Sequence, residues 1–166
     1  MQSIRLYIEE TEICWCLLEK LWGFYSMEFQ RKGNVIIARL DQGDKIKESI
    51  HAISVAENIK AGTVTGLGAI KDPEISFYHL DKQEYATKVF HEDFEVLSLN
   101  GTLAFVDNAP QQHIHLVLGK DDFTTIGGHL EDAEVSVTLE LCITVLEHNL
   151  TRELDENVGL PTIKFE

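Results

Sequence analysis

The stretch Gln112-His113-Ile114-His115-Leu116 carries the most evident chemistry in the chain, and Gly127-Gly128-His129-Leu130 follows it after Lys120-Asp121-Asp122. Three of the seven histidines lie there. Side chains two apart on a strand point the same way, so His113 and His115 are expected to present two imidazoles on one face while Ile114 and Leu116 pack the other. A turn at Gly127-Gly128 is expected to fold the chain back and bring His129 to the same pocket. Three neutral imidazoles with an open fourth position suit Zn²⁺ best, with Ni²⁺, Cu²⁺ and Fe²⁺ as alternatives. Water bound to such a metal has its pKa lowered toward ~7 and can act as nucleophile or base. Glu95, Glu140 and Arg152 are the candidate catalytic helpers, each with a structural reading beside the catalytic one. The alternative for the histidines is a hydrogen-bonded cluster at a strand end, with the glycines present only for their turn.

These side chains need a sheet to hold them. Val35-Ile36-Ile37-Ala38-Arg39-Leu40 is β-branched and nearly continuous, as in a strand buried on both faces or covered by a helix. Asp44 is placed to cap a helix over residues 44 to about 59, because Ile46, Ile50, Ile53 and Ala56 recur at three-to-four spacing. His51 falls on its solvent side. From Ala61 the period changes to two, and strands are expected at Gly62–Ile70, Glu74–Leu80, Tyr85–Phe90, Phe94–Leu99, Thr102–Val106 and Gln112–Leu118. Asp72-Pro73 and Asn100-Gly101 are read as turns, the second as a hairpin signal. His79 and His91 are read as edge histidines. Gly62, Gly66 and Gly68 lack the following Lys-Ser/Thr of a phosphate loop and mark instead a bulge or a close backbone approach. Ala133 to Glu147 alternates regularly enough for one long half-buried strand, on whose polar face Glu140 could approach the histidines. Leu150 to Asn157 reads as turn-like, and Ile163-Lys164-Phe165 as a last short strand. The sum is an α+β fold, a mostly antiparallel or mixed sheet with one principal helix laid against it.

Composition narrows the function. The formal charge of −14, from 28 acidic against 14 basic residues, opposes any backbone-driven hold on nucleic acid. Cys14, Cys16 and Cys142 are too few and too badly spaced for a disulfide framework, so a reducing cytoplasm is the simpler compartment. No run reaches the length of a membrane span. Residues 1–26 hold the apolar run Ile13-Cys14-Trp15-Cys16-Leu17-Leu18 and read as an N-terminal appendage or as sequence upstream of a start at Met27; residues 27–166 read as one domain.

From about Val35 to Phe165 the sequence resembles the plants-and-prokaryotes-conserved domain. The carriers are Gly62-Thr63-Val64-Thr65-Gly66-Leu67-Gly68-Ala69, Phe94-Glu95-Val96-Leu97-Ser98-Leu99-Asn100-Gly101, His113-Ile114-His115, Gly127-Gly128-His129-Leu130, and Arg152 with Gly159-Leu160. The resemblance implies an α+β fold assembled as a homotrimer and brings a DNA-binding label with it. In the plant members DNA contact belongs to a separate AT-hook, and Arg31-Lys32-Gly33-Asn34 lacks that motif's second arginine and proline. With three histidines and Asp93 before Phe94-Glu95, the chain is similar to the prokaryotic branch. More distantly, His113, His115 and His129 resemble the zinc ligands of acetolactate decarboxylase, although the spacing after the pair is longer here and that enzyme's other catalytic groups have no counterpart by motif.

Three functions follow as expectations. The first is a homotrimeric binding or regulatory protein with a zinc site at His113, His115 and His129. The second is a metal-dependent lyase or hydrolase acting on a small anionic acid, and the third a DNA-associated protein, which the charge and the missing AT-hook oppose.

Overall fold

Apolar side chains at every second residue from Ile36 to Leu40, and at three-to-four spacing from Ile46, build the two layers of the fold: a sheet and the helix laid on its inner face. The computed structural model describes residues 26–107 and 109–165. The apolar run at 13–18, with Cys14 and Cys16, lies outside the described residues. In chain order the elements are β1 (Glu28–Lys32), β2 (Val35–Asp41), α1 (Ile46–Ala56), β3 (Gly62–His79), β4 (Glu84–Val89), β5 (Asp93–Val106), β6 (Ala109–Gly119), β7 (Thr125–Val145), β8 (Thr151–Asp155) and β9 (Leu160–Lys164). The first seven strands form one antiparallel sheet in the order β1-β2-β7-β6-β5-β3-β4, and a further β7–β3 pairing closes β3, β5, β6 and β7 into a ring. The strands β8 and β9 make a separate hairpin. The expected α+β class is what the chain adopts. Among the described residues no helix is long and apolar enough to cross a membrane.

Ile46, Ile50 and Ile53 are fully buried against Ile36, Leu40 and Leu139, each burial contributing on the order of 1.5–3 kcal/mol. His51 is exposed, as the spacing predicts. The helix is shorter than expected because Asn58, with φ +51°, ends it. Asn58 N–H donates to Val55 O and Ile59 N–H to Ser54 O, satisfying the last carbonyls while Ile59 drops into the core. Asp44 does not cap α1. Its carboxylate turns back to accept the Asp41 N–H at 2.9 Å and the Ser26 N–H at 3.2 Å, bracing the chain between β2 and α1.

Three other expectations are corrected by the ladder, and one strand is added. Asp72-Pro73 is a bulge inside β3: Asp72 takes φ +48° and the register shifts between Lys71 and Glu74. Asn100-Gly101 is no hairpin but the middle of β5, with Asn100 opposite Thr65 on β3 and His115 on β6. A strand paired on both sides overrides the local turn preference, and the reversal comes at Asp107, with φ +50°. Gly101 is there for space, since a Cβ on it would stand 2.6 Å from His113 O and 2.8 Å from Ile114 Cγ1. The polar stretch at 151–155 is β8, paired with β9 from Thr151–Lys164 to Asp155–Leu160. Finally β1, unmarked by any alternation of its own, pairs with β2 through Lys32–Val35.

Because that crowding is against backbone, Gly101→Ala should destabilise the protein by about 1–3 kcal/mol, read as a lower urea midpoint with the same slope. An unchanged midpoint would show that β5 and β6 can separate locally at no cost.

Candidate metal centre

Along β6 the residues Ile114, Leu116 and Leu118 are buried while His113, His115 and Val117 face outward. His115 is the ladder partner of Asn100 on β5 and of His129 on β7, and His113 is the partner of Thr102. Direct partners point to the same side of a sheet, so His129 joins the pair by register. The turn expected at Gly127-Gly128 is therefore replaced by strand: both glycines lie in β7. A Cβ at Gly127 would meet Leu116 O at 2.6 Å and one at Gly128 would meet Ser76 O at 2.8 Å, so this pair lets β6 and β3 close on β7 just before His129. The reversal lies earlier, where Lys120 N–H donates to Thr124 O at 2.9 Å and Asp122 accepts from Thr124.

The three imidazole rings stand with centroids 5.0, 5.2 and 5.4 Å apart. One ligand atom from each lies within 4.8 Å of the others. Nε2 of His113 and Nε2 of His115 are 3.1 Å apart. Two nitrogens at 2.0–2.1 Å from a tetrahedral zinc stand roughly 3.4 Å apart, so this pair already has close to a metal's bite. Nδ1 of His129 is buried with no hydrogen-bond partner. A buried donor-acceptor atom left unpaired is costly unless something binds it, and a metal or a tightly held water is the natural occupant. The residues thus fit a three-histidine metal. His79 and His91 stay outside this group.

Electrostatics keep His113 and His129 in their ligating form. Partial burial, then the Arg152 guanidinium, then His115 and His129 push His113 down to about 4. Burial also lowers His129; Glu131 opposes that shift, and His115 and Lys47 add to it. Both rings are therefore neutral at pH 7.

Beside the histidines lies a cleft of about 440 Å³, lined by His113, His129, Lys47, Tyr85, Gln112 and Arg152 among others. Arg152 reaches it from β8, with Nη2 donating to Thr102 Oγ1 at 2.7 Å and Nη1 to Pro161 O at 3.4 Å. Of the three candidate helpers, Arg152 alone is brought to the histidines. Glu95 is exposed on β5 opposite Gly119, seven residues or roughly 23 Å of strand from Thr102. Glu140 is exposed opposite Arg39 and Leu67, eleven residues or roughly 36 Å along β7 from His129. Lys47, Tyr85 and Gln112 were not singled out by the sequence. Gln112 carried a signal: it continues the inward parity of Ile114 and Leu116, and a polar residue there needs a partner, which is Lys47 O at 2.7 Å.

The family model for the Plants and Prokaryotes Conserved (PCC) domain matches residues 27–147. Among solved structures, a metal-containing protein of Archaeoglobus fulgidus is 30% identical with TM-score 0.75, over 87% of this chain and 100% of that one. A plant- and prokaryote-conserved protein of Pyrococcus horikoshii is 25% identical with TM-score 0.74, over 87% and 97%. A protein of Bacteroides thetaiotaomicron, provisionally named DNA-binding, has TM-score 0.81 at 23% identity over 84% and 97%, a likeness of fold alone. No curated protein matches the chain.

In metal-free protein the His113 ring should titrate near pH 4, followed by its imidazole proton resonances. The unfolded chain takes up that proton near 6.5, so it binds more protons than the folded chain between those values, and stability should fall as pH drops from 6.5 toward 4. Thermal unfolding across that window checks the sign, and a His113→Gln variant should lose part of the slope.

Proposed function

The chain belongs to the Plants and Prokaryotes Conserved (PCC) domain family, and on that premise we propose that it is a homotrimeric metal-binding protein with a binding or regulatory role, in which His113, His115 and His129 hold zinc. One observation carries the reading: three imidazoles on two paired strands bring their ligand atoms within 4.8 Å, and one buried ring nitrogen among them has no protein partner. The metal-containing Archaeoglobus relative, at 30% identity, supports it. Zinc there would supply a Lewis-acidic centre with an open position. Among the described residues no carboxylate lines the cleft.

Assembly is supported by the face on which the site lies. Ile37, Cys142, Thr65, Asn100 and His115 form one row across β2, β7, β3, β5 and β6, all on the outward side. Ile37, Leu67, Leu97 and Val117 are 56%, 59%, 56% and 44% exposed on that side. Apolar side chains grouped in this way mark a surface that another chain covers. DNA association is not part of the proposal: the charge of −14 would repel phosphate, and the provisional name of the Bacteroides protein concerns that protein. The sparse cysteines fit a reducing cytoplasm.

Elemental analysis of the purified protein should find about one zinc per chain, and His115→Ala should lose most of it. Equal metal in both would end the reading. Zinc at a hundred times its dissociation constant should stabilise the wild type by about 2.7 kcal/mol and leave the variant unmoved. Light scattering should give the mass of three chains; a monomer at micromolar concentration would remove the assembly from the proposal.

A further inference from the structure

We infer that the cleft beside the histidines binds a small hydroxycarboxylate, held through its carboxylate by Arg152 and Lys47. The inference deepens the metal reading and rests on it in one respect: two of the three histidines, His113 and His129, line this cleft.

The first argument is charge. Acids outnumber bases two to one in this chain, 28 to 14, yet the cleft is lined by two cations and by no Asp or Glu. Arg31 meets Glu57, and Arg39 meets Asp41 and Glu28. Arg152, the remaining arginine among the described residues, meets no carboxylate; its bonds go to a threonine hydroxyl and a backbone carbonyl. Lys47 has no ion pair among the described residues either, whereas Lys45, two residues before it, reaches both Asp132 and Glu134. Glu131 acts on Tyr85 and His129 at longer range and does not line the cleft. A half-buried guanidinium without a counter-ion, in a protein this acidic, is a site prepared for an anion.

The second argument is unpaired hydrogen-bonding capacity. Arg152 Nε is buried with no acceptor, and Gln112 Oε1 is buried with no donor. The Gln112 amide is fixed by its Nε2 donating to Lys47 O at 2.7 Å, which leaves Oε1 to be satisfied by something else. Besides His129 Nδ1, which the metal reading takes, two of the four other orphaned buried side-chain atoms among the described residues belong to this one cleft. In the cleft a carboxylate is the acceptor available to the Arg152 guanidinium, and a hydroxyl the donor available to the Gln112 amide. Pro110, Leu160 and Pro161 add apolar wall, which suits a short carbon skeleton better than an inorganic oxyanion. A volume of about 440 Å³ admits a molecule of that size.

The test is calorimetric titration of the zinc-loaded full chain with lactate, propionate, lactamide and inorganic phosphate at fixed ionic strength, with zinc content measured on each sample. Lactate should saturate the site, propionate should bind at least several-fold more weakly, and lactamide should not bind. Arg152→Gln should weaken lactate at least tenfold, and Lys47→Gln several-fold, with zinc content unchanged in both. The inference falls if zinc-loaded protein shows no saturable heat with lactate, if Arg152→Gln and Lys47→Gln both bind it as the wild type does, or if phosphate binds more tightly than lactate. Equal binding of propionate removes the hydroxyl from the ligand class. Should the protein carry no zinc yet still bind lactate through Arg152, the metal reading fails and the anion site stands; stoichiometric zinc with no anion bound gives the reverse.

Discussion

His115 and His129 stand opposite one another because β6 and β7 pair in a single register, and the site exists only in that register. Strand side chains alternate, so a slip of one residue would turn the histidines inward and push Ile114, Leu116 and Leu118 into water. Each of those three is at most 3% exposed, and their combined burial, at about 1.5–3 kcal/mol apiece, opposes the slip far more strongly than imidazole contacts could favour any arrangement. The apolar inner face thus sets the chemistry of the outer one. Glycine supplies the remaining condition. At Gly101, Gly127 and Gly128 any side chain would strike a neighbouring backbone, so β5, β6, β7 and β3 come close enough for the ring of strands to close where the histidines sit.

What the sequence disclosed follows from the same division. Alternation at Gln112–Leu118 and the three-to-four spacing at Ile46, Ile50 and Ile53 report which side of an element is buried, and those readings held; the run at Ala133–Glu147 is one long strand, but Val137, on the parity of the buried Val135 and Leu139, is 67% exposed where the register with β3 shifts. Turn signals fared worse. Asn100-Gly101, Asp72-Pro73 and Gly127-Gly128 all carry turn residues and all three sit inside strands. Ladder pairing outweighs the local preference at Asn100-Gly101, between β3 and β6, and at Gly127-Gly128, beside β6, while Asp72-Pro73 survives only as an unpaired bulge. A pattern of residue types does not distinguish a glycine needed for positive φ from one needed for room. His113, His115 and His129 were found as a group, but through a turn in place of the cross-strand register that brings them together. Lys47 and Tyr85 were invisible for another reason: each reaches the cleft from an element remote in sequence, and nothing local marks that.

Placing Arg152 beside His113 links the cation to the proton affinity of the cluster. A guanidinium disfavours a second positive charge nearby, so it helps hold His113 neutral and able to donate its lone pair. The same positive field favours an anion in the cleft. One residue of a short hairpin therefore serves two demands, and its position is secured from outside the site: Tyr78 Oη donates to Val158 O at 2.6 Å and Phe105 N–H to Leu150 O at 2.8 Å, pinning the β8–β9 hairpin and the segment before it.

The histidines lie on the outer surface of the sheet, where a metal would ordinarily meet water on every side not taken by protein. The hairpin covers one flank through Arg152, Leu160 and Pro161. On the other flank Val117, Leu97 and Leu67 run outward from His115 along the same face, exposed among the described residues. Water at that edge would compete for the open coordination position and would screen Arg152 and Lys47. A second chain seated on those apolar residues would exclude it, strengthening every charge interaction in the cleft. Assembly and site chemistry would then be one problem: the apolar face that a second chain would cover borders the polar cluster that needs to be shielded.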